Sequence, residues 1–305
     1  MSIVIKEVVG KKDLKKFIDF PNKLYKKNEY YVPFLFSDEM ATFTKKSNPA
    51  YAFCETKLFL AYIDNKIVGR IAGLINNAAN EKWGTNTIRF TRFDFIDDFE
   101  VSKALMNKVI SWGKERGFTS IMGPIGFTDL DHEGMLVEGF EEMNMSITFY
   151  NAPYYIEHMQ KLGFLKEVDW VEYQVSVPQE THDKIIRVSE RIKERYGYKL
   201  VQYKSRKVLM KEAYAAFNVV DEAFSKLFGT VPLTQEIIDK SIKDYIPIVN
   251  LKYICTIKDK DDKIVGFGLL VPSIAKALKK SNGRMFPFGV FRLLKALQGK
   301  NDILE

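Results

Sequence analysis

The sequence predicts an α/β fold, in which a first run of alternating strands and helices is followed by a second run that begins in the same way. Three observations lead to this prediction: the alternation itself, two hairpin-like pairs of apolar segments, and a short motif that recurs at a fixed distance. The chain has 305 residues, of which 46% are hydrophobic and 28% charged. This length and balance are typical of a folded protein with two domains.

The first elements are a strand, a helix, a hairpin and a third strand. SIVIKEVV predicts the strand, and KDLKKFIDFPNKLY predicts the helix, which Pro21 kinks or breaks. In KLFLAYIDNKIVGRIAGLI, two apolar runs flank Asp64 and Asn65, which is a hairpin signal. TIRFTRFDFI is predicted to be a long strand because Ile88 and Phe90 alternate with polar residues.

A long helix and a shorter one follow this strand. DDFEVSKALMNKVISWGKERGF has apolar residues at helical spacing, with Asp97 or Asp98 as its cap and Gly117 at its end. TSIMG predicts a short strand. NAPYYIEHMQKLGF predicts the second helix, capped by Asn151, and VDWVEYQVSV predicts a closing strand.

The second half repeats this order. YKLVQYKSR predicts a strand, LMKEAYAAFNVVDEAF and TQEIIDKSIKDYI predict helices, and LKYICTIKDKDDKIVGFGLLV predicts another hairpin. Both hairpins contain KIVG, 197 residues apart, and the same offset carries Ile3 onto Leu200. We therefore predict a complete domain over residues 1–178, a connecting helix over 179–198 and an incomplete second copy over 199–305.

Charge and cysteine content restrict the partners that we expect. The net charge is +7, but the lysines alternate with acids as on solvated helix faces, so we expect no nucleic-acid partner. No run approaches the roughly 20 apolar residues that cross a bilayer, and the N-terminus has no apolar signal core. We expect a cytoplasmic protein with no membrane partner, in which Cys54 and Cys255 are buried thiols. With only three histidines, no metal cofactor is expected.

One stretch near the end of the chain has two interpretations. MFPFGVFRLLKALQGK predicts a basic amphipathic helix. We expect it to pack on the protein, and binding to a membrane surface is the alternative.

Several motifs together resemble the GNAT superfamily of acyl-CoA N-acyltransferases. These are WGKERG at 112–117, QKLGF at 160–164, and the longer runs YYVPFL, GPIGFTDLDHEGMLVEGF and YNAPYYIEHMQKLGF. They are similar to a poorly characterised bacterial branch with two GNAT-like halves. The resemblance implies a mixed central sheet flanked by helices, acetyl-CoA or another acyl-CoA as cofactor, and transfer to a small amine or amino-acid-like substrate. A homodimer is one arrangement that it allows.

Two positions depart from the GNAT pattern. The R-G-x-G-x-G loop that binds the pyrophosphate of coenzyme A would fall on residues 97–102, where the sequence is DDFEVS. The first half is therefore expected to be degenerate at this loop, with Phe95, Ile96 and Ser102 as the remaining candidates for cofactor contacts. The tyrosine that would protonate the leaving thiolate is replaced by Met159, which cannot donate a proton.

The candidate catalytic residues are therefore taken from other positions of GPIGFTDLDHEGMLVEGF and YNAPYYIEHMQKLGF. They are Tyr155, His158 and Glu138.

Residues 123–140, which we call the inserted segment, are unusually placed for a GNAT-like chain. About 28 residues separate the short strand from the last helix, and loops of that length are often functional. Asp129, Asp131, His132 and Glu133 are candidates to receive a cationic amine, so the segment is expected to form one wall of the principal pocket. The alternative is a structural connection whose acids face water.

Two functional hypotheses follow from the sequence. The first is an acyl-CoA-dependent N-acyltransferase. The second is a non-catalytic GNAT-like protein that binds a small molecule or a partner, which the acidic stretch DDFE and Met159 favour.

Overall fold

The computed structural model describes residues 2–299 and 302–305, which divide into two compact units. The first unit contains Met1–Glu167, Leu227–Pro232 and Ser273–Ala296. The second contains Val168–Lys226, Leu233–Pro272 and Leu297–Glu305. None of the described helices is long and apolar enough to cross a membrane.

A five-stranded mixed sheet forms the centre of the first unit. Its strands, in spatial as well as chain order, are β1 (Val4–Glu7), β2 (Cys54–Ile63), β3 (Lys66–Asn76), β4 (Thr87–Phe95) and β5 (Ser120–Met122). The first four are antiparallel to their neighbours, and β5 is parallel to β4. The helices are α1 (Gly10–Leu24), α2 (Phe36–Thr42), α3 (Asn77–Trp83), α4 (Phe99–Glu115) and α5 (Tyr154–Lys161). The predicted α/β class with a mixed, helix-flanked sheet is confirmed.

Helix α4 packs closely on β3 because the strand has glycines where the helix approaches it. A Cβ atom at Gly69 would lie 2.7 Å from Cδ1 of Leu105, and one at Gly73 would lie 3.0 Å from the ring of Trp112. Leu105 and Trp112 belong to the main hydrophobic core. The glycine of the first KIVG motif therefore sets the distance between helix and sheet.

A β-bulge distorts β4 in the middle of the sheet. Ala72 pairs with Thr91 and Arg70 with Asp94, so β4 has one residue more than β3 between these two pairs. Arg92 lies in the bulge with φ of 49°, a left-handed conformation that is uncommon outside glycine. The bulge redirects the side chains of the following residues.

Strands β4 and β5 separate soon after they pair. Their ladder runs only from Thr87 opposite Ser120 to Arg89 opposite Met122. The chain leaves β5 at Gly123, where a Cβ atom would lie 2.4 Å from the carbonyl oxygen of Phe90. Glycine is required for this close approach, and the inserted segment begins where the two strands diverge.

The second unit has a three-stranded antiparallel sheet, β6-β7-β8. Its elements are α6 (Asp183–Tyr196), β6 (Lys199–Gln202), α7 (Arg206–Phe224), α8 (Gln235–Tyr245), β7 (Ile254–Lys258) and β8 (Ile264–Leu269). In the sequence they are followed by α9 (Ala275–Ser281) and α10 (Gly289–Leu297), which up to Ala296 belong to the first unit.

The two hairpins share an irregularity within KIVG. The strand register skips Val68 in β3 and Val265 in β8, so each hairpin bulges at the same letter of the motif. The opening strands β1 and β6 do not follow the same offset. Leu200 pairs with Ile257 as Ile5 pairs with Ala61, so Leu200 corresponds to Ile5 and not to Ile3. The internal duplication and its boundaries at 178 and 198 stay a prediction.

Two local predictions were wrong. Residues 168–177 form no strand, although Tyr173 and Val177 belong to an alternating pattern; these side chains are 83% and 85% exposed. A strand needs a neighbour as well as a pattern, and no ladder to this segment exists in the described chain. Asn151 does not cap α5, which begins after Pro153, because its side chain is hydrogen-bonded to the backbone of Leu136.

Candidate functional site

Three arginines are buried in the strands of the first sheet. Arg70, Arg89 and Arg92 are each at most 2% exposed. Buried charges require partners, so a charged residue in a strand that is otherwise apolar is a signal for a polar network. The runs GRIAG and IRFTRFDF carried this signal in the sequence, but the sequence reasoning did not use it.

Arg92 is the centre of the largest network. Its guanidinium donates to both carboxylate oxygens of Glu39, at 2.8 and 3.2 Å, and to Oδ1 of Asp131 at 2.8 Å. The guanidinium also lies over the rings of Phe43 and Phe149, at 5.4 and 5.3 Å. The network therefore joins α2, the bulge in β4 and the inserted segment.

The network fixes the charge state of its two acids. Burial by itself would raise the pKa of Glu39 and of Asp131, but the Arg92 guanidinium holds the pKa of both below the usual range. The carboxylate of Asp131 also fits closely against Gly126, where a Cβ atom would lie 2.1 Å from its Oδ2 atom. The single positive charge of Arg92 is shared between the carboxylates of Glu39 and Asp131, so the group retains one negative charge, and binding of an amine by Asp131 stays a prediction.

The other two buried arginines form hydrogen bonds between the sheet and the segments that pack against it. Arg70 pairs with Asp94 at 2.6 Å and donates to the carbonyl oxygen of Phe17 in α1. Arg89 donates to the carbonyl oxygens of Gly126, at 3.2 Å, and Gly229, at 2.9 Å. The inserted segment is thus hydrogen-bonded to the sheet at two arginines, 89 and 92.

Glu133 differs from the other acids of the inserted segment. Its Oε2 atom is buried and has no hydrogen-bond partner among the described residues. Burial, followed by the charge of Asp129, raises the pKa of Glu133 to about 7, and Arg89 opposes this increase. Near neutral pH the side chain is therefore present in both its protonated and its ionised form, as a general acid or base requires.

The remaining polar residues of the segment have structural partners. Asp129 accepts a hydrogen bond from the backbone of Val231 at 3.4 Å. The ring of His132 packs on Phe34, and its Nδ1 atom lies 3.4 Å from Asp131. Glu138 is exposed and makes none of the contacts of this network. Of the three candidate catalytic residues, Glu138 is exposed, whereas Tyr155 and His158 are buried.

Tyr155 does lie at the bulged strand. Its hydroxyl group accepts a hydrogen bond from the backbone N–H of Phe95 at 3.1 Å and lies 2.9 Å from the hydroxyl of Tyr25. Its ring stacks on that of Phe95, with centroids 4.2 Å apart. Burial raises the pKa of Tyr155 well above its ordinary value, so the residue is neutral at physiological pH.

His158 joins the start of α4 to α5. Its Nδ1 atom is 2.9 Å from the hydroxyl of Ser102, and its Nε2 atom is 3.2 Å from a carboxylate oxygen of Asp97. The order Asp97, His158, Ser102 resembles a catalytic triad, but Ser102 is 0% exposed and cannot reach a substrate. Asp98 caps α4 by accepting from the N–H of Glu100. One backbone N–H at the start of α4, that of Glu100, is therefore bonded to a side chain of the protein.

Two of the hollows in the described part of the first unit are near the residues considered above. The smaller, about 20 Å³, lies where β4 and the chain after β5 diverge, and it has room for about one water molecule. Its lining includes Asp94, Gly134 and Tyr155. The larger, about 680 Å³, lies between α1, the β2–β3 turn and Ile96, with Lys16, Lys23 and Lys66 among its lining residues. The inserted segment lines the smaller hollow, through Pro124, Gly134 and Met135, and does not line the larger one.

The first unit has the order of elements that the resemblance implied, from the opening strand and helices to the diverging fourth and fifth strands. Its fold is GNAT-like. No family model matches the chain. Among curated proteins, Protein YghO of Escherichia coli (strain K12) is 26% identical over 299 residues, covering 97% of this chain and 75% of that protein. The bacterial ceramide synthase of Caulobacter vibrioides is 25% identical over 292 residues, covering 94% and 74%.

Solved structures with a similar course of the chain are acetyltransferases or GNAT proteins by their descriptions. A tandem GNAT protein from the clavulanic acid biosynthesis pathway covers 88% of this chain and 74% of its own, with 12% identity and a TM-score of 0.47. A predicted acetyltransferase from Clostridium acetobutylicum, solved with acetyl-CoA, covers 57% of this chain and 96% of its own, with 12% identity and a TM-score of 0.36.

Proposed function

We propose that this GNAT-like protein is an acyl-CoA-dependent N-acyltransferase in which Glu133 is the general base. The observation that carries the proposal is the unpartnered, buried carboxylate oxygen of Glu133, whose pKa is raised to about 7. It directly precedes Gly134, which lines the hollow between the diverging strands. A base with this pKa can take a proton from an ammonium group at neutral pH.

The proposed reaction forms an amide in one displacement. The amine nitrogen attacks the thioester carbonyl, a C–N bond forms, and the C–S bond to coenzyme A breaks. Glu133 accepts the proton that the amine loses, and the thiolate of coenzyme A leaves and takes up a proton. Tyr155 is the proposed donor of that proton, because it lines the same hollow and burial keeps it neutral.

Substrate binding in this proposal requires the hollow to widen. About 20 Å³ is far below the 300–1,000 Å³ of ordinary ligand sites. The inserted segment is the part that would move, and its attachments to Arg92 and Asn151 are the ones to be loosened.

The proposed acceptor is an amine with an apolar chain. A ceramide is the amide of a fatty acid and a long-chain amino alcohol, and one curated relative is named a bacterial ceramide synthase. This name supports amide formation as the reaction and a long-chain amine as the substrate class, in place of the small amine that the sequence analysis favoured.

The proposal is tested by measuring thiol release and amide mass with purified chain. Acetyl-CoA and palmitoyl-CoA are each offered with a short amine and with a long-chain amino alcohol. For an active pair, kcat should rise with pH through about 7. Glu133→Gln should lower kcat by about 10²–10⁴-fold and remove this dependence. Glu141→Gln, at the exposed acid that follows the inserted segment, is the matched control and should leave both unchanged. A pH profile retained in Glu133→Gln, or lost in Glu141→Gln, would show that another group is the base.

The second candidate function is a non-catalytic binding protein. It is favoured by the α4 N-terminus, where a coenzyme A pyrophosphate would be expected. There Asp98 caps the helix, and the side chains of Asp97, His158 and Ser102 are in contact with one another. If calorimetry detects no binding of acetyl-CoA or palmitoyl-CoA, and no acyl-CoA gives thiol release, this candidate replaces the first.

A further inference from the structure

Residues 275–296, which we call the basic segment, have an unusual composition. They contain six lysine and arginine residues and no acid, and no acid occurs anywhere between Asp262 and Asp302. The segment comprises α9, a short connection and most of α10. It belongs to the first compact unit.

The basic segment exposes an apolar face. Phe286 is 77% exposed, Phe288 65%, Phe291 68% and Leu294 50%. The last three are spaced by three residues and lie along one side of α10. Large apolar side chains clustered in this way on a surface mark a site of interaction, whereas scattered ones do not.

The exposure is not caused by a loosely attached helix. Leu278 and Leu293 are buried against Val32 in a cluster of their own. Arg284 forms an ion pair with Asp19 at 2.7 Å, and the carbonyl oxygen of Gly283 accepts a hydrogen bond from the backbone of Phe36 at 2.8 Å. One side of the segment is thus fixed to the first unit, and the phenylalanines project from the other.

Positive charge surrounds the apolar face. Lys276, Lys280 and Lys295 are exposed and Lys279 is half-buried, and none of the four has an ion-pair partner among the described residues. Arg292 donates one hydrogen bond to a backbone carbonyl and has no acid beside it in the same part of the chain. These charges are available to an external anion.

We propose that the basic segment binds the surface of an anionic lipid bilayer. The phenylalanine rings would enter the boundary between head groups and acyl chains, and the lysines would contact the anionic head groups. A second copy of the chain fits this face less well, because a two-fold interface would bring the same unpaired lysines together. The proposal takes up the membrane alternative left open for this stretch and replaces the expectation of no membrane partner.

The test is flotation of the full chain with vesicles. Vesicles of phosphatidylcholine alone are compared with vesicles that contain phosphatidylglycerol as well. We expect at least about tenfold stronger binding to the anionic vesicles, and loss of binding at high salt. The triple variant Phe286→Ser, Phe288→Ser, Phe291→Ser should lose binding without losing its helical circular dichroism signal.

The matched control replaces three apolar residues outside the segment that are at least as exposed as the phenylalanines. Leu165→Ser, Tyr173→Ser and Val177→Ser, at 92%, 83% and 85% exposure, should leave flotation unchanged. Absence of binding to anionic vesicles, or equal binding by the triple variant and wild type, would overturn the proposal. So would a change of oligomeric state in the triple variant without any lipid effect, since the face would then be an interface between copies. No acyl transfer is measured, so the result is independent of the proposed function.

Discussion

Replacing Arg92 by methionine should strongly destabilise the first unit, because it leaves two buried carboxylates without a counter-charge. Arg92 makes two hydrogen bonds to Glu39 and one to Asp131, and its side chain is 0% exposed. Removing one partner from a buried ion pair typically costs about 3–5 kcal/mol. For a unit of this size, that loss corresponds to a fall in Tm of about 6–20 °C.

A surface pair provides the matched control for this prediction. Arg116 pairs with Glu55 at 2.6 Å through two similar hydrogen bonds, but the two side chains are 44% and 47% exposed. Arg116→Met should therefore change Tm far less than Arg92→Met, since water solvates the carboxylate that remains. Thermal unfolding followed by circular dichroism measures both variants.

The effect of Arg92→Met should depend on pH. In the wild type, Arg92 keeps the pKa of Glu39 and Asp131 below the usual range, so the stability they contribute is present above about pH 4 and is lost as pH falls further. In the variant, Arg92 no longer lowers the two pKa values, and burial raises them. The carboxylates then become protonated as pH falls from 7 towards 4, which reduces the free-energy cost of burying them without a counter-charge. The difference in Tm should be largest at neutral pH. A triple variant that adds Glu39→Gln and Asp131→Asn should recover part of the loss. Equal effects at positions 92 and 116, or a loss that does not vary with pH, would refute this account of the network.

Three further changes test how the site is built. Gly69→Val should lower stability by about 1–3 kcal/mol, because its Cβ would meet Leu105 at 2.7 Å; full stability in urea unfolding would contradict the close helix–sheet packing. Asn151→Ala removes both hydrogen bonds to the backbone of Leu136 and should make residues 123–140 faster to cleave in limited proteolysis, whereas an unchanged cleavage pattern would mean that other contacts hold the segment. Asp98→Ala should cost about 1 kcal/mol through the lost cap, and calorimetry should show no gain in acetyl-CoA affinity over wild type, because Asp97 and Glu100 still place negative charge at this helix start; a large gain would show that the cap alone weakened cofactor binding.

The elements that the sequence predicted correctly are those whose signals are local. The start of α4 at Asp98, the hairpin at Asp64 and Asn65, and the long fourth strand each depend on residues within a few positions of one another. Caps, turn residues and apolar periodicity act through the nearest backbone, so a single sequence contains them. The same reasoning placed Tyr155 and His158 on a helix, where the structure has them.

Tertiary structure alone decided the chemistry of the site. The sequence did not show that Asp131 pairs with Arg92, 39 residues away, or that Arg92 also pairs with Glu39, 53 residues away. Burial and the charge of Asp129 raise the pKa of Glu133, and the charge of Arg89 opposes this increase. The neighbouring residues in the sequence do not show how deeply Glu133 is buried or that Arg89 lies near it. The closing strand failed for the same reason: an alternating pattern fixes which side chains share a face, but a strand forms only where another strand lies beside it. Ion pairing, burial and strand pairing are relations between distant parts of the chain, and only folding creates them.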